Sequence, residues 1–246
     1  MILEIKNLNV EASGKKIING LNLTVRSGEF HVLMGPNGSG KTTLTNAIMG
    51  YPGVKITDGD VLVDGKSIKD LPVNERAKLG LFLQFQNPVE IDGVGFVNFV
   101  RTAKDSLGGS TTGTKELMGE IRSYTEKLKI KNGIIGRNLN QGFSGGEKKK
   151  GEILQMAVLK PKMAILDEPD SGLDVDSIKD VAAAISEIAE KEKLGLIVIT
   201  HYSRILSYMK PGYAHIMVNG AIIAEGGKEL IEKVEKEGYE AIMSKS

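Results

Sequence analysis

The chain runs to 246 residues, 41% hydrophobic and 26% charged, with 32 lysines and arginines set against 31 aspartates and glutamates. That length carries one stable core with room for a subdomain, and the charge balance excludes a global field that would draw the chain to nucleic acid or an acidic membrane surface. The absence of cysteine excludes disulfides, thiolate catalysis and a thiolate-held metal cluster, so any such chemistry would belong to a partner.

The opening residues, Met1-Ile2-Leu3-Glu4-Ile5-Lys6, lack the charged head and long apolar body of a secretory signal. No apolar run reaches the roughly 20 residues that cross a bilayer, and a cytoplasmic location is expected. Residues 2–10 and 16–25 are alternating and β-rich, which predicts an antiparallel hairpin turning at Ala12-Ser13-Gly14 and forming an edge sheet. The apolar run Phe30 to Met34 reads as a buried strand. It leads into Gly35-Pro36-Asn37-Gly38-Ser39-Gly40-Lys41-Thr42, the phosphate-cradling pattern G-x-x-x-x-G-K-[ST]. Glycines let successive N–H groups turn toward phosphate oxygens, and a helix from about Lys41 to Met49 adds its positive end. In this pattern Lys41 supplies a charge for the outer phosphates, the Thr42 hydroxyl completes the coordination of Mg2+, and Thr43 donates to an inner phosphate. The expected ligand is a nucleoside triphosphate.

Farther along, a short strand at 60–63, a proline-led helical stretch at 72–78 and an apolar strand at 79–85 are predicted. The pattern turns helical from Pro88 to about Asn140. Phe96, Phe99, Val100, Ala103 and Leu107 share one helix face, residues 115–129 form a second amphipathic candidate, and a mobile Gly/Thr-rich loop at 108–114 separates them. A helix from Gly145 to about Leu159 follows, then a strand at 163–167, a helix at 176–193, a strand at 196–200, short strands at 215–218 and 221–224, and two C-terminal helices. Strands alternating with helices imply an α/β fold with a doubly wound, parallel sheet.

Met163-Ala164-Ile165-Leu166-Asp167-Glu168 is an apolar strand closing in two carboxylates, at the end where an open α/β sheet presents its ligand site. Asp167 suits the Mg2+ shell, and Glu168 is the candidate to orient and deprotonate an attacking water. Acidic residues also close strands as ordinary turns or helix caps, so this strand taken by itself leaves both readings open. His31 and His215 lie within strands and read as packed or surface residues.

The string Phe143-Ser144-Gly145-Gly146-Glu147 opens a predicted helix upstream of that strand. Together with the phosphate loop, Phe85-Gln86-Asn87-Pro88, Asp167-Glu168-Pro169, Ser171-Gly172-Leu173-Asp174 and Thr200-His201, it makes the chain resemble the ATP-binding cassette (ABC) ATPases, a P-loop NTPase family. The resemblance spans nearly the whole chain. It implies one ABC ATPase domain over 1–246, with a RecA-like core and antiparallel β subdomain at 1–87 and 145–246, and a helical subdomain at 88–144. It also implies a transient head-to-tail homodimer, in which ATP lies between the phosphate loop of one subunit and Ser144, Gly145 and Gly146 of the other. By matching position, Gln86 would sense Mg2+ or the lytic water, His201 would contact the γ-phosphate, and Asp174 would belong to a turn crossing the dimer. Glu147 stands where most cassettes have glutamine, which places a negative charge near the phosphate and implies slow turnover without a partner. The loop at 11–16 carries no aromatic residue to stack on adenine, so base recognition should be weak.

Within the family, Phe143 to Lys150 with Glu152 to Leu159, Gln86-Asn87-Pro88-Val89-Glu90-Ile91, Asp170 to Asp174 and Thr200 to Leu206 resemble the SufC branch, the ATPase subunits of the SUF iron–sulfur cluster assembly machinery. That branch implies a SufB-like scaffold as partner, with a SufD-like subunit as a further one, and no membrane insertion. The alternative is the nucleotide-binding subunit of a membrane ABC importer. Residues 88–95 with the helix 96–100 are the candidate docking surface, burial of those aromatics being the competing reading. Lys148 to Lys150, Lys149 above all, read as a solvated helix face.

Overall fold

The computed structural model describes residues 1–108, 113–130, 133–201 and 203–243. The centre of the expected loop at 108–114, and Tyr202 in the stretch after Thr200, lie outside the described residues.

Two long strands, β1 (Ile2–Ala12) and β2 (Lys15–Arg26), form the expected hairpin, turned by Ser13 and Gly14 with φ of 50° and 74°. Next come β3 (Phe30–Met34), α1 (Lys41–Met49), β4 (Val54–Val63) and β5 (Lys66–Ser67). The strand predicted at 60–63 is only the last part of β4. The strand passes straight through Asp58-Gly59: β4 bulges against β1, and a Cβ on Gly59 would sit 2.2 Å from the Asn7 carbonyl oxygen. Glycine is needed for that close approach, not for a reversal. The four strands form one antiparallel sheet, ordered β2-β1-β4-β5.

The chain continues through α2 (Val73–Lys78), β6 (Leu81–Gln84), α3 (Phe96–Ser106), α4 (Thr114–Lys127), a 3-10 turn at Ile134–Gly136 and α5 (Gly145–Leu159). It then forms β7 (Met163–Asp167), α6 (Val175–Glu192), β8 (Gly195–Ile199), α7 (Ser203–Leu206), β9 (Tyr213–Val218), β10 (Ala221–Gly226), α8 (Lys228–Glu237) and α9 (Glu240–Met243). A second sheet has the order β10-β9-β3-β8-β7-β6 and is parallel except for β10. This is the doubly wound, mostly parallel sheet of the sequence reading. Its central strands β3, β7 and β8 are almost wholly buried because both faces are covered.

Side-chain alternation splits the core. Val32, Leu166 and Val198 face the layer of α5 and α6, whereas Leu33, Ile165 and Ile197 face α1 and the antiparallel sheet. Each such aliphatic contributes roughly 1.5–3 kcal/mol by leaving water. Phe96, Val100, Leu117 and Ile121 carry the apolar faces of α3 and α4 into the first of these clusters, against α5.

One buried cation ties the sheet to α1. Arg76, 2% exposed, donates to the Ala47 and Ile48 carbonyls at 2.8 and 2.7 Å, and to those of Leu71 and Lys69. A guanidinium at a helix C-terminus meets both its free carbonyls and its negative pole. The helix after the phosphate loop is thereby fastened to the segment that leads into β6 and Gln86.

Candidate nucleotide and catalytic site

The phosphate loop leaves β3 through a residue that must lack a side chain: a Cβ on Gly35 would meet the Met217 carbonyl oxygen at 2.1 Å. Gly40, at φ 105°, opens α1 in a conformation that other residues avoid. Pro36, Asn37, Gly38 and Ser39 complete the turn, with Ser39 buried, and Thr43 lies in the first turn of α1 beside Thr42. Lys41 is buried, its Nζ donating to the carbonyls of Gly35 at 2.9 Å and Pro36 at 3.0 Å. Burial pushes the Lys41 pKa down, and the charges of Asp167 and Glu168 oppose that shift. The ammonium is thus held by uncharged carbonyls, from which phosphate oxygens can draw it away.

Asp167 ends β7, 3% exposed, and its Oδ2 accepts from the Thr42 hydroxyl at 3.1 Å. Burial raises its pKa and the neighbouring Glu168 charge adds to the rise, while Thr42, Lys149 and Lys41 counter it. A second positive charge beside this carboxylate would therefore be favourable. Among the described residues no group of three or more His, Cys, Asp or Glu can hold a metal. The Thr42–Asp167 pair fits Mg2+, which takes few protein oxygens and fills its octahedron from phosphates and water.

Glu168 follows with φ 50°, a left-handed backbone costing about 1–2 kcal/mol for a residue with a Cβ. The Glu168 N–H donates to the Ile199 carbonyl at 2.8 Å, which ties the turn to β8. Both carboxylate oxygens are engaged. Oε2 accepts from the Gln86 amide at 2.9 Å, and Oε1 lies 3.1 Å from His201 Nε2. Burial and the Lys41 charge push the His201 pKa down, and Glu168 and the Gly35 carbonyl pull it up. Lys41, Gln86, Asp167, Glu168 and His201, from four separate segments, are brought together at the carboxyl ends of β3, β6, β7 and β8. Below them Asp170 and Thr200 are joined at 3.1 Å.

Ser144, Gly145 and Gly146 stand apart from this group. Ser144 caps α5 through a reciprocal pair: its Oγ accepts from the Glu147 N–H at 3.2 Å, and Glu147 Oε2 accepts from the Ser144 N–H at 2.9 Å. The serine oxygen is thus used as an acceptor while its proton stays available to donate. A cleft of about 460 Å3 lies over this end, lined by Ser144, Gly145, Gly146, Glu147, Lys150 and Asp174, and by no residue of the phosphate loop. Asp174 itself caps α6, accepting from the Ser177 N–H at 2.7 Å.

The structure corrects one reading of the sequence and decides two that the sequence leaves open. Lys149 is not on a solvated face: it is 3% exposed, and its Nζ donates to the Phe85 carbonyl at 3.1 Å and the Asp167 carbonyl at 3.3 Å. From Lys149 to Val158 every residue of α5 is buried, so no polar face exists for a lysine run to mark. The nearby Glu152 is pushed up to about 7 by burial, against the pull of Lys149, Gln84 and Phe85. In the candidate docking stretch, Phe96 and Val100 are wholly buried, which leaves Val89 and Ile91 as its exposed large apolar residues, with Phe85 exposed just before it. Glu90 of the same stretch pairs with Lys148 at 2.8 Å and so holds the segment to α5. Finally, His31 and His215 are packed residues that meet each other, Nδ1 to Nε2 at 2.9 Å.

The sequence profile of the ABC transporter family matches residues 18–171. The chain is 44% identical over 244 residues to the "Probable ATP-dependent transporter ycf16" of Cyanophora paradoxa, covering 97% of this chain and 93% of that one. It is 45% identical over 242 residues to "Vegetative protein 296" of Bacillus subtilis, covering 98% and 92%. A "Probable ABC transporter ATP-binding protein" of Streptococcus pyogenes is 46% identical over 243 residues, covering 98% and 94%. Among solved structures, the ADP conformation of MJ1267, "an ATP-binding cassette of an ABC transporter", superposes with a TM-score of 0.78 at 27% identity, covering 100% of this chain and 99% of that one.

Proposed function

This chain belongs to the ABC transporter ATPase family, and from that membership we propose that it is the motor subunit of a SUF-type iron–sulfur scaffold, driven by an ATP-dependent homodimer. Its reaction is the Mg2+-dependent hydrolysis of ATP to ADP and phosphate. The observation that carries the dimer is the separation of two half-sites. Lys41 and its loop form one anion cradle, and Ser144 at the N-terminus of α5 forms another over its own cleft. A triphosphate needs only one cradle within a chain, and a head-to-tail pair of chains would bring both to the same ATP.

In the proposed cycle the water attacks the γ-phosphorus in line, Glu168 takes its proton, and ADP leaves. Lys41, His201 and the opposing Ser144 stabilise the charge on the transferred group. Mg2+, held through Thr42 and Asp167, supplies neutralisation of the phosphate charge. Each Glu168 oxygen keeps a second lone pair for the proton, and the contacts from Gln86 and His201 hold the carboxylate in place.

The division into a core and β subdomain (1–87, 145–246) and a helical subdomain (88–144) supplies the moving parts of this proposal. Gln86 joins them, and Phe85, Val89 and Ile91 would receive the SufB-like scaffold beside it, with a SufD-like subunit on a second copy. The motif runs 86–91, 143–150 and 200–206 support this partner. The transporter names of relatives favour a second reading, a membrane importer's nucleotide-binding subunit. Native co-purification decides between them. A soluble scaffold as companion supports the first, and a multi-span permease overturns it.

A further inference from the structure

Between the segment that follows Gln86 and the segment that precedes Ser144 the chain builds a short antiparallel clasp. The Ile91 N–H donates to the Leu139 carbonyl at 3.0 Å, the Leu139 N–H to the Val94 carbonyl at 2.8 Å, and the Phe96 N–H to the Arg137 carbonyl at 3.0 Å, with Gly95 and Asn138 bridged between them. A side chain makes the last rung: Asn140 Nδ2 donates to the Val89 carbonyl at 2.8 Å. Asn140 is buried and takes a left-handed backbone, φ 61°, which ends the pairing. Its own carbonyl accepts from the Phe143 N–H at 3.3 Å, and the turn so closed delivers Ser144 to the head of α5.

Two side-chain ties therefore run from the neighbourhood of Ser144 to the segment after Gln86. The Glu90–Lys148 ion pair has its carboxylate 45% exposed, so water and salt screen it and it contributes little. The Asn140 amide is buried, where a hydrogen bond keeps its strength. Placement matters at this point because donors that are already aimed bind an anion without first having to be ordered, and ordering them costs affinity. Ser144 is fixed on the helix side by its reciprocal bonds with Glu147. Asn140 fixes it on the loop side.

We propose that Asn140 is a positioning residue of the ATPase: its amide ties the Ser144 turn to the segment after Gln86, and so holds this chain's cradle in place for the ATP of its twin. It rests on the head-to-tail pair and on nothing about the scaffold. Because that cradle serves the other chain, a shift of residues 89–96 in one subunit is felt at its twin's nucleotide.

The test is Asn140→Gly, made in the Glu168→Gln background. Glycine takes a φ near 61° freely, so the turn keeps its backbone and only the rung to Val89 is lost. ATP affinity of the dilute, single subunit, measured by calorimetric titration with Mg2+, should stay at the parent's value, because the phosphate loop is untouched. ATP-dependent dimerisation, measured by sedimentation, should weaken about five- to tenfold, the scale of one hydrogen bond. A second arm adds Ser144→Ala. A residue that acts through the serine has little left to act on once the serine is gone, so Asn140→Gly should then weaken dimerisation by less than about twofold more. Unchanged dimerisation in the first arm overturns the proposal, even if the melting temperature falls, since that is the signature of an ordinary structural contact. Full additivity with Ser144→Ala overturns it too, as does a loss of single-subunit ATP affinity that matches the loss of dimer. If the Glu168→Gln parent itself forms no dimer with ATP, the head-to-tail pair fails and takes the proposal with it.

Discussion

The carboxylate of Glu168 accepts a hydrogen bond from the Gln86 amide at 2.9 Å, so the candidate base is tied to the one segment that leads into the helical region. Replacing Glu168 by Gln removes the proton acceptor and keeps the shape. ATP binding should persist, and turnover with the partner present should fall about 10²–10⁴-fold, the usual contribution of a positioned base. Phosphate release and ATP titration on the same preparation check this. Near-normal turnover would assign the water to another group.

Glu147 is predicted to act as a brake on dimer closure. Its carboxylate caps Ser144 at 2.9 Å while lining the cleft that would meet the partner's ATP. Glu147→Gln keeps an acceptor for the cap and deletes the charge. ATP-dependent dimerisation, measured by sedimentation in a Glu168→Gln background, should strengthen several-fold, more at low salt than at high. No change at either ionic strength would show that the charge does not reach the phosphate.

Glu90 lies between two possible roles, scaffold docking and the internal ion pair with Lys148 at 2.8 Å. Glu90→Lys alone disturbs both. Adding Lys148→Glu restores the internal pair with its signs exchanged. If the surface around Val89 and Ile91 docks the scaffold through Glu90, the double variant should still lose scaffold binding and regain normal ATP affinity. Recovery of scaffold binding in the double variant would assign Glu90 to the internal pair.

Much of the site is legible in the sequence because it is built from local runs. The phosphate loop needs glycines within eight residues, and the Asp167-Glu168 pair sits at the end of its own apolar strand. What escapes such reading is long-range. Arg76 and Lys149 look like surface cations until α1 and the sheet close over them, because periodicity marks a polar face only where one face meets water. Gly59 carries no local sign of its role, because its reason for being glycine lies on another strand, at Asn7. The engagement of Glu168 by Gln86 and His201 joins three separated segments, and no single run contains it.

Glu152 should make the protein less stable as pH rises toward neutrality. Its folded pKa, raised from 4.5 to about 7 by burial, means that the native state binds its proton where the unfolded chain has released it. The stabilisation is complete below about 4.5 and is lost as pH rises through about 7, amounting to about 3 kcal/mol at most. Glu152→Gln should remove this dependence from denaturant midpoints taken between those limits. A variant whose profile parallels the wild type would show that Glu152 ionises normally.

The histidine pair supplies the opposite slope, and the Glu152→Gln background isolates it. His31 and His215 share a contact of 2.9 Å, with Glu29 and Glu225 at 3.2 Å on their outer nitrogens, Arg26 paired to Glu29, and Tyr213 stacked on His31 at 4.4 Å. Burial lowers both imidazole pKa values more than the carboxylates raise them, and the His215 charge lowers that of His31 further. The unfolded chain then takes up protons near pH 6.5, while the folded pair takes them only at lower pH. Stability present above that value is therefore lost as pH falls through the folded pKa values. In the Glu152→Gln variant, denaturant midpoints should drop steadily from pH 7.5 to 5.5, and adding His215→Gln should reduce the slope. A flat profile before the second substitution would mean that the pair already holds a proton at neutral pH, bound across the two rings between Glu29 and Glu225.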